Sequence, residues 1–241
     1  MEKDDLIQHL EQETQVFKNT AIKDAFLAID RKDFVEPDYE VEAYEDYALP
    51  MIDGQTFTKP TALGYMLELL DPKKGHTVLN IGSGSGYLAA LLAHMVGEDG
   101  KVLALEINPA ILELSKKYLS KYKDLPIELV QADKDTGYYR GAPYDRIVSG
   151  VAFPNKETAM ELMIQLVHGG IMVIPIGDKL IQFERVSDDD FYETEFEGFL
   201  FDDYIGKGAD KPEGDDEDMD QDDNQDDDSD DGQNDKITDE Y

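Results

Sequence analysis

A glycine-rich stretch and one glutamate give the clearest chemical signal in the sequence. Gly82-Ser83-Gly84-Ser85-Gly86 follows an apolar run directly, and Glu106 ends the next apolar run. Glycines let a ligand approach the backbone closely, and a carboxylate at the end of the adjacent strand can accept hydrogen bonds from both hydroxyls of a ribose. The pattern indicates a ligand that contains a ribose. The alternative for Glu106 is a solvated acid at a strand end.

The spacing within this stretch narrows the choice of ligand. Tyr87 follows Gly86 where a P-loop needs lysine, and Gly84 stands where a serine-hydrolase elbow needs its serine. The third glycine of a dinucleotide loop is also replaced by Tyr87, so a pyrophosphate is disfavoured. S-adenosylmethionine has a ribose and no phosphate, and it is the ligand that we expect.

Apolar runs and helical patterns alternate along the chain and must position these residues. Strands are predicted at 77–81, 101–106, 127–131, 145–150 and 169–177, and helices at 4–18, 20–30, 60–70, 87–96, 109–122 and 156–167. Such alternation predicts an α/β fold with a mostly parallel, doubly wound sheet. Residues 180–186 and 194–201 have no helix between them, and we expect antiparallel strands at a sheet edge. Residues 34–57 look like a loop-rich connection.

Composition restricts the classes of protein that remain. The net charge is −33 over 241 residues, and no cysteine is present. Binding of a nucleic acid through a basic patch is therefore not expected. No histidine has metal-ligand spacing, so no metal site is predicted. Neither a signal peptide nor a membrane-spanning run is recognised, and we expect a soluble cytoplasmic protein. Residues 208–241 are so acidic that we expect a disordered tail.

Three blocks of sequence resemble the protein-L-isoaspartate O-methyltransferase family, which uses S-adenosylmethionine. They are VLNIGSGSGYLAALLA (78–93), AYEDYALPMIDGQTFTKP (43–60) and the ungapped stretch APYDRIVSGVAFPNKETAMELMIQLVHGGIMVIPIG (142–177). The resemblance covers about residues 15–200. It implies a Rossmann-like methyltransferase domain over 1–207, divided into an N-terminal helical and loop extension (1–58) and a core (59–207).

The resemblance also implies roles for individual residues. Thr58 stands where the family has its active-site serine and would bind the substrate carboxylate. The residues expected at the cofactor are Gln55, Thr56, Gly82, Ser83, Gly84, Gly86, Tyr87, Glu106, Ile107 and Asp133. Among these, Glu106 would hold the ribose, whereas Ile107 and Asp133 would contact the adenine.

The implied reaction is methyl transfer to the free carboxylate of L-isoaspartyl residues in damaged proteins or peptides, which starts their repair through a succinimide. We expect the protein to act as a monomer. Two alternatives stay open at this point. One is a related methyltransferase that acts on aspartate of a dedicated peptide precursor, and the other is a homologue that binds the cofactor without transferring its methyl group.

Overall fold

The computed structural model describes residues 1–188 and 190–203, all of them within one unit of the chain, Met1–Ala209. The six α-helices of this part are α1 Lys3–Gln12, α2 Thr20–Ala28, α3 Pro60–Leu70, α4 Tyr87–Val96, α5 Pro109–Leu119 and α6 Lys156–Met163. The strands are β1 Leu49–Pro50, β2 Thr56–Phe57, β3 Thr77–Ile81, β4 Lys101–Glu106, β5 Ile127–Gln131, β6 Tyr144–Ser149, β7 Val151–Ala152, β8 Leu166–Ile176, β9 Lys179–Arg185, β10 Phe191–Glu197 and β11 Asp202–Asp203.

Seven strands form the central sheet in the order β10-β9-β8-β6-β3-β4-β5. The five strands from β8 to β5 are parallel, and β9 and β10 add antiparallel pairs at one edge. The chain runs outward from β3 through β4 to β5 and then returns to β6 on the other side of β3. This reversal opens a crevice at the carboxyl ends of the strands, where such sheets bind their ligands. The predicted fold class is confirmed.

Helices cover both faces of the sheet. Successive residues of a strand point to opposite faces, so neighbouring residues pack against different helices. Val78 packs with helices α1 to α4, whereas its neighbour Leu79 packs on the other face with α6. Both residues are fully buried. Continuous apolar runs are required for strands that are covered on both faces, and this requirement explains why β3 and β4 were readily recognised in the sequence.

Several helix ends differ from the prediction. Helix α1 stops at Gln12 instead of residue 18, and Gln15 adopts a left-handed conformation (φ +56°) that a helix cannot contain. Helix α6 stops at Met163 instead of residue 167 because Leu166 already pairs with Tyr144 in the sheet. The pairing of β8 starts three residues earlier than its apolar pattern indicated. Tertiary pairing decided this boundary over local preference.

The connection between α2 and α3 is loop-rich, as predicted. It contains two short 3₁₀ turns, Arg31–Phe34 and Pro37–Glu42, a third at Ile52–Gly54, and the two-residue strands β1 and β2. No helix within the described residues is long and apolar enough to cross a membrane. The predicted disordered tail, residues 208–241, lies outside the described residues.

Candidate functional site

An open cavity lies at the carboxyl ends of the parallel strands. It encloses about 1070 Å³, its mouth included. One side is formed by the loops after β3 and β4, and we call residues 82–85 together with Glu106 the glycine-loop wall. The opposite side is formed by residues 51–58, which we call the N-terminal wall. The strand reversal at β3 therefore opens a cavity at the place where the sequence pattern predicted a ligand site.

The glycine loop has a backbone that side chains would hinder. Gly82 and Gly84 have φ values of +64° and +55°, a region that L-residues rarely adopt. A Cβ on Gly82 would lie 2.9 Å from Cγ1 of Val151, whereas a Cβ on Gly84 would meet only the end of Met51, at 3.8 Å. The first glycine therefore allows close packing of β7 behind the loop, and the second keeps the cavity open in front of it.

Ser83 presents a hydroxyl without a protein partner. Its backbone N–H donates to the Leu105 carbonyl at 2.9 Å, which fixes the residue against β4. Its side chain is buried, and its Oγ has no hydrogen-bond partner among the described residues. An unsatisfied buried hydroxyl is costly. Because Ser83 lines the cavity, a bound ligand is the natural partner for this oxygen.

Glu106 faces the glycine loop and is only 6 % exposed. One carboxylate oxygen accepts the N–H of Gly84 at 3.0 Å, and the other accepts the N–H of Asn108 at 3.0 Å. Burial raises the pKa of this carboxyl above its usual value, and the backbone N–H groups that it accepts oppose the shift. These hydrogen bonds fix the orientation of the carboxylate at the cavity, where it keeps acceptor capacity for a ligand. This contradicts the interpretation of Glu106 as a solvated acid.

The N-terminal wall is held by contacts from distant parts of the chain. A tight turn at Ile52–Gly54, with Asp53 at φ +56°, brings Gln55 to the cavity. Thr56 donates its N–H to Asp202 at 2.7 Å and its hydroxyl to the same carboxylate at 3.1 Å. Strand β11, which carries Asp202, runs parallel to β7. The end of the described chain thus closes one corner of the cavity.

Thr58 lies at the inner end of this wall. It lines the cavity and is partly exposed. Its carbonyl accepts a hydrogen bond from Arg31 at 2.8 Å, which anchors the backbone. No described residue forms a hydrogen bond with its hydroxyl, so this hydroxyl can donate to a ligand carboxylate.

The loops after β4 and β5 complete the lining. Ile107 and Asp133 both lie at the cavity, and one oxygen of Asp133 accepts the N–H of Asp135 at 2.9 Å. The second oxygen of Asp133 stays available to a donor such as an amino group. Together with the glycine loop after β3, these loops bring together residues that follow three neighbouring strands.

The lining is acidic. Its charged side chains are Glu106, Asp133, Asp135, Asp202 and Asp203. Within the described residues, no lysine, arginine or histidine lines the cavity. Also within this part of the chain, no group of three or more possible ligands could hold a metal ion. Such a cavity favours a ligand with positive charge.

Comparison with known families decides the identity. The profile of the family described as "Protein-L-isoaspartate(D-aspartate) O-methyltransferase (PCMT)" matches residues 1–203. The chain belongs to this family.

Named relatives of this methyltransferase family are similar over most of the described chain. A protein-L-isoaspartate O-methyltransferase of Methanopyrus kandleri is 36 % identical over 202 residues, covering 81 % of this chain and 88 % of that relative. One of Aeropyrum pernix is 42 % identical over 163 residues, covering 67 % of this chain and 62 % of that relative.

Solved structures agree with the family assignment. One, titled as a protein-L-isoaspartate O-methyltransferase, has a TM-score of 0.75 at 26 % identity and covers 85 % of this chain and 66 % of its own. The fold also matches a Plasmodium falciparum structure described as this methyltransferase in complex with S-adenosyl-L-homocysteine. The TM-score is 0.73 at 17 % identity, over 84 % of this chain and 98 % of that one.

Two of the predicted cofactor residues of this methyltransferase contribute little or nothing to the cavity surface. Gly86 does not line the cavity. A Cβ on this residue, whose φ is +91°, would lie 2.9 Å from Leu119. The missing side chain therefore allows α4 to start close to α5. Tyr87 borders the cavity but is 2 % exposed, and its ring packs against Phe34 and Phe57 at centroid distances of 5.3 and 5.6 Å. The Tyr87 ring therefore packs mostly in the aromatic core and contributes little to the cavity.

Other lining residues were not predicted as part of this methyltransferase site. They include Met51, Phe57, Leu63, Asn108, Ile111, Asp135, Val151, Asp202 and Asp203. Asn108 had a local signal, since it was recognised as the cap before Pro109, and its side chain accepts the N–H of Ala110. Asp202 had none, because its partner Thr56 lies 146 positions earlier.

Proposed function

We propose that this protein transfers a methyl group from S-adenosylmethionine to the free α-carboxylate of L-isoaspartyl residues in damaged proteins and peptides. The carrying observation is the cavity at the strand ends, where the buried Glu106 is oriented by the glycine loop and faces the N-terminal wall. Family membership supplies the reaction class, and the cavity supplies a site of matching chemistry.

The polar groups, the space and the charge of the lining fit S-adenosylmethionine. The unpartnered Ser83 hydroxyl and the open front of Gly84 leave donors and space at the glycine loop. Glu106 would accept the ribose hydroxyls, Ile107 would contact the adenine, and Asp133 would accept its amino group. Gln55 and Thr56 would border the cofactor from the opposite wall. An acidic lining without cations matches the net positive charge of S-adenosylmethionine.

Thr58 is proposed to bind the methyl acceptor. Its hydroxyl has no partner among the described residues, and its carbonyl is held by Arg31, so the residue has a defined position at the cavity. Because no cationic side chain lines the described cavity, a substrate carboxylate must be held by neutral donors. The Thr58 hydroxyl and nearby backbone N–H groups are donors of this kind.

The chemistry needs alignment more than proton transfer. A carboxylate is ionised at neutral pH and requires no general base. When bound, S-adenosylmethionine supplies a methyl group on its sulfonium, and the new C–O bond forms as the C–S bond breaks. The two walls hold the acceptor oxygen in line with that bond and exclude water. Such orientation can supply up to roughly 7–11 kcal/mol.

The product continues without the enzyme. The methyl ester is attacked by the neighbouring backbone nitrogen, loses methanol and closes to a succinimide. Hydrolysis of this ring adds water and returns part of the residue as normal aspartate. Transfer by this protein would therefore start a repair cycle.

Other features of the function also remain proposals. We propose that residues 1–207 form the methyltransferase domain, that it acts as a monomer in the cytoplasm, and that it binds neither nucleic acid nor membrane. The net charge of −33 supports the absence of a phosphate-binding face.

Methyl transfer can be measured directly with radiolabelled S-adenosylmethionine. The substrates are an isoaspartyl peptide and its normal aspartyl twin, identical in sequence. We expect label in the isoaspartyl peptide only, released as methanol by mild alkali because the bond is an ester. Equal labelling of both peptides, or cofactor binding without labelling of either, would contradict the proposal.

A further inference from the structure

The guanidinium of Arg31 lies behind the N-terminal wall. Arg31 is 1 % exposed and belongs to the short 3₁₀ turn Arg31–Phe34. Burial lowers its pKa to about 10, so it stays cationic at neutral pH. A buried charge is costly unless its donors are satisfied. Its partners are therefore informative.

Three backbone carbonyls of one segment accept hydrogen bonds from this guanidinium. They belong to Ala43 (2.8 Å from Nε), Thr58 (2.8 Å from Nη1) and Tyr47 (3.4 Å from Nη2). No carboxylate of the described residues accepts a hydrogen bond from Arg31. The side chain thus joins the start of the segment to its end and closes residues 43–58 into a loop.

The ring of Phe57 adds a second contact to the same group. The guanidinium carbon lies 4.0 Å from the centroid of this ring, and the Tyr87 ring lies 5.9 Å away. Phe57 is 5 % exposed and lines the cavity. Arg31 therefore contacts the two consecutive wall residues, 57 and 58, one by stacking and one by hydrogen bonding.

Regular structure does little to hold this wall. Strands β1 and β2 have two residues each, and the turn between them contains Asp53 and Gly54 at positive φ. Thr58 lies two residues before α3, and the rest of its support comes from side chains that reach the segment from outside. The planar fork of arginine can bond several carbonyls at fixed angles, which a lysine ammonium cannot reproduce.

We infer that Arg31 is a positioning residue for methyl transfer, which fixes the backbone of Thr58 and the ring of Phe57 so that the acceptor carboxylate lies in line with the methyl group. The inference rests on the proposed function. It assigns a role to a residue that contacts neither the glycine loop nor Glu106 in the described structure.

The test compares Arg31→Lys with Arg146→Lys. Arg146 is also buried, and it too donates to carbonyl oxygens, those of Asp71 (3.3 Å) and Asp145 (2.8 Å), but it lies near the amino end of β6, away from the cavity. Both variants should lower Tm. Only Arg31→Lys should lower kcat for the isoaspartyl peptide, by about 10- to 100-fold, since small displacements of reacting groups have effects of this size. Its affinity for S-adenosyl-L-homocysteine should change much less.

Equal kcat values for the folded Arg31→Lys variant and the wild type would overturn the inference, as would an equal loss in Arg146→Lys. If Arg31→Lys does not fold, Phe57→Leu replaces it. That variant removes the stacking ring and keeps the charge, and kcat should fall about threefold or more with unchanged cofactor affinity. An unchanged kcat in Phe57→Leu would then contradict the inference. Absence of transfer by the wild type would instead contradict the proposed function.

Discussion

The two walls of the cavity are built in different ways. In the glycine-loop wall, a buried strand leads into a loop whose N–H groups bond the next strand and Glu106, all within about 25 residues. In the N-terminal wall, two-residue strands are held by Arg31 from one side and by Asp202 from the other. Under the proposed function, binding of the cofactor would thus depend on regular structure, whereas placement of the acceptor would depend on a few long-range side-chain contacts.

A polar contact joins the N-terminal wall to the loop after β4. Asn108, in the loop after β4, donates its side-chain N–H to Asp53 in the N-terminal wall at 2.8 Å. Asp53 is exposed and Asn108 is partly exposed, and this contact contributes little stability. The walls should therefore respond separately to substitution, cofactor affinity on one side and acceptor turnover on the other.

The largest effect is expected in the glycine-loop wall, from Gly82→Ala. The added Cβ would meet Val151 at 2.9 Å, and the residue would keep a left-handed φ that costs about 1–2 kcal/mol in L-residues. The loop should shift, and the affinity for S-adenosyl-L-homocysteine should fall more than about 100-fold, or about 2.7 kcal/mol. Titration calorimetry measures this affinity.

The control for this change is Gly75→Ala. Gly75 also has a positive φ (+83°), but a Cβ there would meet nothing within 4 Å. It should lower Tm without a change in cofactor affinity. Wild-type affinity in the folded Gly82→Ala variant would show that the backbone of this loop does not determine binding.

Glu106→Gln should have the next largest effect. It removes the charge that would accept two ribose hydroxyls, and charge-assisted hydrogen bonds contribute about 1.5–3 kcal/mol each. We expect cofactor affinity to fall about 10- to 100-fold in calorimetry, with the peptide KM nearly unchanged. The exposed Glu98, outside the cavity, provides Glu98→Gln as a control of equal charge change. A similar loss in both variants would point to net charge alone.

The pH dependence of cofactor affinity should report the same residue. Burial raises the pKa of Glu106 above its usual value, so its carboxyl is protonated at a higher pH than that of an exposed glutamate. The protonated form accepts weaker hydrogen bonds, and affinity should decline as pH falls from 7 toward 4.5. Because of the same shift, Glu106 binds a proton more readily in the folded protein than in the unfolded chain. Its ionisation at neutral pH therefore lowers the free energy of unfolding. Affinity in Glu106→Gln should lack this decline; an identical decline there would assign it to another group.

Thr58→Val should act on the other wall. Valine keeps the branched shape and loses the hydroxyl, whereas Thr58→Ser keeps the hydroxyl. We expect kcat for the isoaspartyl peptide to fall about tenfold in the valine variant, equivalent to about 1.4 kcal/mol, and to stay near wild type in the serine variant. Cofactor affinity should be unchanged in both. Parallel losses in the two variants would indicate packing instead of hydrogen bonding.

The smallest effect is expected from Asp202→Asn. The carboxylate accepts both the N–H and the hydroxyl of Thr56, but the pair is exposed. Loss of its charge should cost about 1 kcal/mol or less, up to about fivefold in the peptide KM. Asp190→Asn, an exposed change outside the cavity, is the control. A larger effect on cofactor affinity than on KM would show that the two walls are not separable.

Local patterns in the sequence identified most of the framework. Strands β3, β4 and β5 and helix α4 have the predicted bounds, because apolar runs and flanking glycines mark them. Glu106 was also recognisable, since its place at the end of β4 follows from that strand. The end of helix α6 was not, because the pairing of Leu166 with Tyr144 brings together residues that are far apart in the chain.

The sequence by itself determined the parallel sheet, the glycine loop and the carboxylate beside it, because each depends on residues close together in the chain. Only the tertiary structure decided that Gly86 serves helix packing, that the Ser83 hydroxyl has no partner among the described residues, and that Arg31 and Asp202 hold the N-terminal wall. Those contacts join segments 27 and 146 positions apart. The identity of such partners follows from the path of the folded chain, which no local pattern encodes.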